Sequence, residues 1–212
     1  MARPRSDIEP RIVHAARRRF LEDGVDGASL RNIARDAGTN IGMIYYYFPT
    51  KDDLFLAVVE EIYEKVLLDL ETALAAAEPF EARVAAVYRR AGSLTDDEVD
   101  VFRLVVREAM VSSSRLDRLV ERFKRGHIAL MLRAVAEGMA NGEVDTRLHP
   151  VIATLSTFAL GIAPQMIRRV AGGRMDWLDL PEGKAFAEQL VHVLFRGITP
   201  RPTEPSSEET SR

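Results

Sequence analysis

The chain has 212 residues, 47% of them apolar and 29% charged, with a net charge of −3 and no cysteine. That composition is globular, and the length allows one large domain or two small ones. The missing cysteines exclude a disulfide framework and any thiolate zinc site, which fits a reducing, cytoplasmic setting.

Apolar residues recur with helical period along nearly the whole chain, and runs alternating with period 2 are rare, so an all-α fold of nine helices is expected. Met1–Pro10 is polar and lacks the apolar stretch of a secretory signal. The first helix is expected over Ser6–Asp23, with Ile8, Ile12, Ala15, Ala16, Arg19 and Phe20 on one face and Gly24 as a left-handed stop. A short helix follows from Leu30 to Ala37, with Ser29 as N-cap and Gly38 as its stop. The third starts after Asn40 and ends before Pro49. Thr50, with Asp53 three residues on, has capping-box spacing and opens a long helix to about Ala77. Its stripe is Phe55, Val58, Val59, Ile62, Val66, Leu70 and Leu74.

Beyond Pro79, helices are expected over Glu81–Ser93, Asp96–Ser112 and Ser114–Asn141. Pro150 opens another that runs to about Ala171, before Gly172-Gly173. A loop carrying Trp177 leads to Pro181, the start of the last helix, which ends near Gly197. Residues 199–212 are Pro, Ser, Thr and Glu without a large apolar side chain, and are expected to be disordered. The apolar run Val151–Ala163 is interrupted by Thr154, Ser156 and Thr157 and falls short of the ~20 residues that cross a bilayer, so no membrane span is expected.

Two short helices around Gly38-Thr39 make a helix-turn-helix pattern. Small Ala34 allows a close crossing, and Ile33, Ile44 and Phe48 form the wedge between the helices, closed by Phe20. The second short helix carries Tyr45, Tyr46 and Tyr47. Three adjacent residues span most of a helix's circumference, so at least one or two tyrosines must face outward. There they can donate to phosphate oxygens. Ile41, Gly42 and Met43 stand where such a helix meets base edges in the major groove. Gly42 leaves room for DNA, and Ile41 and Met43 can touch thymine methyls. Lys51, in the first turn of the long helix, suits a phosphate clamp. Arg31 can reach a guanine edge or a phosphate. Charge agrees: residues 1–51 hold nine basic and six acidic side chains, a balance of +3 against −6 for the rest.

Ile12-x-x-Ala15-Ala16, Phe20, Gly24, Ser29, Ile33-Ala34, Ala37-Gly38, Gly42, Ile44-Tyr45-Tyr46-Tyr47-Phe48, Lys51 and Leu54 together resemble the DNA-binding domain of the TetR family. The resemblance covers about a quarter of the chain. It implies three N-terminal helices as a DNA module over 1–50, a helical ligand-binding and dimerisation domain over 51–198, and a tail over 199–212. It implies a repressor that binds a palindromic operator in double-stranded DNA as a homodimer and is released by a small-molecule effector. Arg31, Ile41, Gly42, Met43, Tyr45, Tyr46, Tyr47 and Lys51 match its DNA-contacting positions. Thr39-Asn40-Ile41 departs from a frequent Val-Ser-Lys-like run and loses a lysine contact, and Tyr47 stands where histidine is common.

In the body, soft or polar residues on apolar faces are the effector candidates: Phe102, Arg103, Arg107, Phe123, His127, Met131, Phe158, Gln165 and Met166. Arg107 and His127 suit an anionic or hydrogen-bonding effector, and the aromatic and methionine content suits an apolar one. The dense apolar segments Val151–Ala163, with spacers Ala153, Ala159, Gly161 and Ala163, and Leu190–Phe195 are expected to pair the last two helices with a second copy. No Gly-rich phosphate loop, nucleophile elbow or helical metal pair is present. His14, His127, His149 and His192 stand far apart, so no enzyme, metal or cofactor is expected. The alternative reading is a helical interaction scaffold, or a small-molecule-binding protein without DNA binding.

Overall fold

The computed structural model describes residues 7–198, which form ten α-helices and no strand. The expected disordered tail, 199–212, lies outside the described residues. α1 (Ile8–Gly27) is interrupted at Gly24, whose φ of 77° belongs to the left-handed region that only glycine enters cheaply. The expected stop is therefore real, and a short turn continues past it. α2 (Leu30–Asp36) and α3 (Ile41–Tyr47) follow, separated by Gly38 at φ 63°. Ser29 precedes α2 with extended backbone, but its side chain makes no cap bond. Asn40 does cap α3, accepting from Met43 N at 3.1 Å. A side chain at Gly42 would press on that cap, its Cβ only 3.1 Å from Asn40 Oδ1.

α4 (Lys51–Ala75) opens with the Thr50–Asp53 capping box. α5 (Phe80–Gly92) and α6 (Asp96–Val111) come next, α6 capped by Thr95 and Glu98 in the same reciprocal way. The helix expected over Ser114–Asn141 is two helices, α7 (Ser113–Lys124) and α8 (His127–Ala140). The break falls at Gly126, at φ −110° and ψ −121°. A Cβ there would collide with the Tyr63 hydroxyl. α9 (Pro150–Ala171) leads through a 3-10 segment, Gly172–Leu178, to α10 (Gly183–Arg196), which starts two residues later than Pro181 suggested.

Two buried clusters organise the molecule. The first joins Ile12, Ala16, Phe20, Ile33, Ile44 and Phe48 of the head to Leu54, Phe55 and Val58 of α4 and to Leu104 and Leu119 of α6 and α7. The expected helix-turn-helix wedge is thus one piece with the body's upper core. The second gathers Leu74, Phe80, Val84, Tyr88, Met131 and Val135 with Phe186, Ala187, Leu190 and Val191.

α10 therefore spends Leu190 and Val191 inside its own chain, and Leu194 and Phe195 pack partly against the same cluster. Its outer face shows Gln189, His192 and Arg196 instead. α9 is different. It buries Thr154, Thr157, Gly161, Gln165 and Met166 and exposes Ile152, Leu155, Ala159, Ala163, Ile167 and Val170 along one stripe. At 22 residues and a mean hydropathy of 1.4 over its best window, α9 is long and apolar enough to cross a membrane by length and composition. The sequence reading, which stopped its apolar run at Ala163, underestimated it. Its buried face, however, is polar and engaged within the chain: Gln165 Nε2 donates to Tyr88 O at 2.9 Å, and Tyr88 Oη donates to Thr157 O at 2.8 Å.

Candidate nucleic-acid interface and effector cavity

α3 stands on Ile44 and Phe48, both buried, and turns its other sides outward. Tyr46 is 76% exposed and Tyr45 53%. Tyr47 is half-buried against the core, its ring edge-on to Tyr46 at 5.1 Å. The outward pair is thus Tyr45 and Tyr46, and Tyr47 buttresses Tyr46. Gly42 is exposed, with Ile41 and Met43 partly so, in the first turn. Arg31 is exposed and has no ion-pair partner among the described residues. Lys51 Nζ donates to Asp26 O at 2.9 Å and forms no salt bridge among the described residues, though, after the Arg115 hydrogen bond, its charge helps to hold the Asp26 carboxyl down. Behind this face Asp36 ties α2 to α1 by accepting from Arg19 Nε at 2.7 Å and Arg18 at 3.0 Å. Those hydrogen bonds hold its carboxyl below the usual range, Arg19 having the larger effect.

The head is fastened to the body at the Gly24 kink. Breaking a helix leaves carbonyls and N–H groups without helical partners, and α6 supplies them. The Arg107 guanidinium donates to Phe20 O and, at 3.4 Å, to Leu21 O. The Glu108 carboxylate accepts from Val25 N at 3.2 Å. Arg115, 6% exposed, bridges Glu108 at 2.6 Å, Asp52 at 2.9 Å and Asp26. Asp26 thus receives Arg115 on its side chain and Lys51 on its carbonyl.

A cavity of about 240 Å³, partly open to solvent, lies between α4, α5, α6, α7, α8 and α9. Its wall is largely apolar: Ile62, Val66, Leu70, Val87, Val101, Val105 and Ile162 among others. Four of the nine expected effector residues line it, Phe102, Phe123, His127 and Phe158. The other five do not. Arg103 points outward to Asp100 and Val170 O. Arg107 serves the kink. Met131 and Met166 are buried core, and Gln165 is consumed by Tyr88 O and Gly161 O.

Three polar wall residues escaped the sequence reading: Tyr63, Arg90 and Glu98. Tyr63 is adjacent to the α4 stripe and could have been found by its phase. Arg90 and Glu98 meet across the α5–α6 turn at 2.6 Å, and Asp69 takes Arg90 Nε at 2.6 Å. Burial alone would raise the Glu98 carboxyl, but the Arg90 hydrogen bonds and the Thr95 N–H reverse that and hold it below its usual value.

His127 packs between Tyr63, Phe123 and Phe158, with ring centroids at 5.6, 4.9 and 5.2 Å. Burial first, and the nearby Arg122 charge second, push its pKa down from 6.5 to about 4. The folded protein therefore refuses a proton that the unfolded chain accepts below 6.5. The stability this group contributes is complete above pH 6.5, declines as pH falls, and is lost by about pH 4, about 3 kcal/mol in all. Urea unfolding at pH 7, 5.5 and 4.5 will show that part of the acid sensitivity, and His127→Phe will remove it. Parallel pH profiles for the two proteins would disprove it.

Residues 12–58 match the family described as "Bacterial regulatory proteins, tetR family". The chain is 44% identical over 55 residues to the HTH-type transcriptional regulator PksA of Bacillus subtilis, an alignment covering 26% of this chain and 27% of that protein. It is 22% identical over 147 residues to the fatty acid metabolism regulator protein of Bacillus subtilis, covering 69% and 76%. The fold resembles the crystal structure of the transcriptional regulator FadR from Bacillus subtilis in complex with stearoyl-CoA, with a TM-score of 0.73 at 20% identity over 90% of this chain and 99% of that one. The architecture is an N-terminal helix-turn-helix head on a helical body, the fold of that regulator. Over residues 12–58 the chain carries the helix-turn-helix module of the TetR family.

Proposed function

We propose that the chain is a cytoplasmic repressor that holds a palindromic operator as a homodimer and lets go when an apolar, chain-like effector fills the cavity. The observation that carries the DNA half is the outward pair Tyr45 and Tyr46, flanked by Arg31 and Lys51, neither of which forms a salt bridge among the described residues. On this reading the tyrosine hydroxyls and both cations bind phosphates, Ile41, Gly42 and Met43 lie against base edges, and Tyr47 fixes the direction of Tyr46. The exposed stripe of α9 is the dimer face, with Ala159 and Ala163 allowing close approach and α10 supplying a polar rim. Pairing there sets two reading heads against half-sites one DNA turn apart, ~34 Å. The apolar cavity wall, and the stearoyl-CoA named with the FadR neighbour, favour an acyl chain as effector. A ligand that binds one head spacing better than the other shifts the population toward it.

Fluorescence anisotropy on DNA from upstream of the chain's own gene tests this reading. Tyr46→Ala and Lys51→Ala should each weaken binding about tenfold, the loss of one contact of about 1.4 kcal/mol. Both variants should still sediment as dimers at micromolar concentration. Wild-type affinity in both would overturn the contact assignment, and a monomeric wild type would overturn the half-site geometry.

A further inference from the structure

His127 presents one polar atom, Nε2, that has no hydrogen-bond partner among the described residues, and its side chain lines the cavity. The tautomer follows from Tyr63. The Tyr63 hydroxyl already accepts from His127 N at 3.0 Å and lies 2.8 Å from Nδ1. If Nδ1 carried a proton and donated it, the phenol proton would find no partner among the described residues. If the phenol donates to Nδ1, every group of the pair is satisfied, and the ring proton sits on Nε2. The Arg122 guanidinium, 4.6 Å over the Tyr63 ring, opposes a second proton on the imidazole. Gly126 makes the arrangement possible by leaving space for the hydroxyl.

The other charged groups of the wall are engaged. Arg90 gives Nη1 and Nη2 to Glu98 and Nε to Asp69, and Glu98 also accepts from Thr95 N. This trio carries a formal charge of −1. A carboxylate entering the cavity would lose its water and meet no uncompensated cation.

We propose that the cavity selects an acyl chain whose head is an uncharged carbonyl, an ester or thioester rather than a free acid, and that the carbonyl oxygen accepts from His127 Nε2–H. Tyr63 is the positioning residue. The inference rests on the cavity being the effector site. The cavity, about 240 Å³ and walled largely by apolar side chains, suits probes with a medium-length acyl chain.

Nile red displacement from the full chain at pH 7.5, with methyl octanoate, octanoyl-CoA, sodium octanoate and 1-chlorooctane, tests the selection. Methyl octanoate should bind at least about tenfold more tightly than octanoate or 1-chlorooctane. Octanoyl-CoA matching it assigns the head as a thioester, and octanoyl-CoA failing assigns it as a small ester. His127→Phe should abolish the ester preference, and His127→Gln, which keeps a donor, should restore part of it. Long-range ¹H–¹⁵N spectra of the unliganded protein should show the Nε2–H tautomer, and Tyr63→Phe should mix the tautomers. Equal binding of all four probes, or an Nδ1–H tautomer, overturns this proposal and leaves the cavity as an effector site. Displacement by none of them overturns the cavity reading itself.

Discussion

Arg115→Met will lower the stability of the protein by about 3 kcal/mol, seen as a fall in Tm of about 6–12 °C. Arg115 is the cation on which Glu108, Asp52 and Asp26 converge, and Glu108 is only 3% exposed. Without the guanidinium, Glu108 keeps Val25 N and Arg107 Nε but loses its strongest partner in a place that water does not reach. The loss is at the low end of the usual range because Asp26 is largely exposed and can be rehydrated. Adding Glu108→Gln should recover part of it, since the uncompensated charge is then gone. Asp26 also holds Lys51, so the variant should bind operator more weakly even below its melting range. A Tm within 2 °C of wild type would mean that the cluster does not hold the head.

The second large effect is expected at Gly161→Ala. α9 crosses α5 here so closely that a Cβ would penetrate the Tyr88 ring. That ring is 1% exposed and its hydroxyl is tied to Thr157 O at 2.8 Å, so it cannot swing away. Overpacking of this kind costs about 3 kcal/mol, and thermal unfolding will read it. Phe158 and Ile162, on either side of Gly161, line the cavity, so displacing α9 should also weaken Nile red binding. Tyr88→Leu in the same chain makes room and should restore most of the stability. An unchanged Tm in Gly161→Ala would show that the helices separate freely.

The head was legible because its signals are local. Gly24 and Gly38 take positive φ, Asn40 and Thr50 cap through their own side chains, and Phe20, Ile33, Ile44 and Phe48 fall inside by helical phase alone. The α7–α8 break was not legible, because Gly126 lies in a run whose apolar period continues across it. Its reason is Tyr63, more than sixty residues away in the chain.

The cavity was half legible for a similar reason. Phe102, Phe123, His127 and Phe158 share the inward phase of their helices. Arg103 sits one residue beyond Phe102, about 100° round the helix, and so faces out. Arg107 suited an anionic effector because it is a charged side chain on an otherwise apolar face. Its partners are Glu108 and two backbone carbonyls left bare by a glycine in α1, which no spacing rule announces. Arg90 and Glu98 neutralise each other only in three dimensions.

α6 carries Phe102 in the cavity wall and, six residues on, Glu108 at the kink of α1. At 1.5 Å per residue the two are about 9 Å apart along a rigid rod. On the proposed reading, an effector that pushes Phe102 aside must also work against the joint at Glu108. Detailed balance then makes the traffic two-way: whatever factor the effector takes from operator affinity, bound operator takes from effector affinity. A promoter-bound molecule would sense its metabolite at a higher concentration than a free one, and the cell's pool of off-target DNA would tune that threshold.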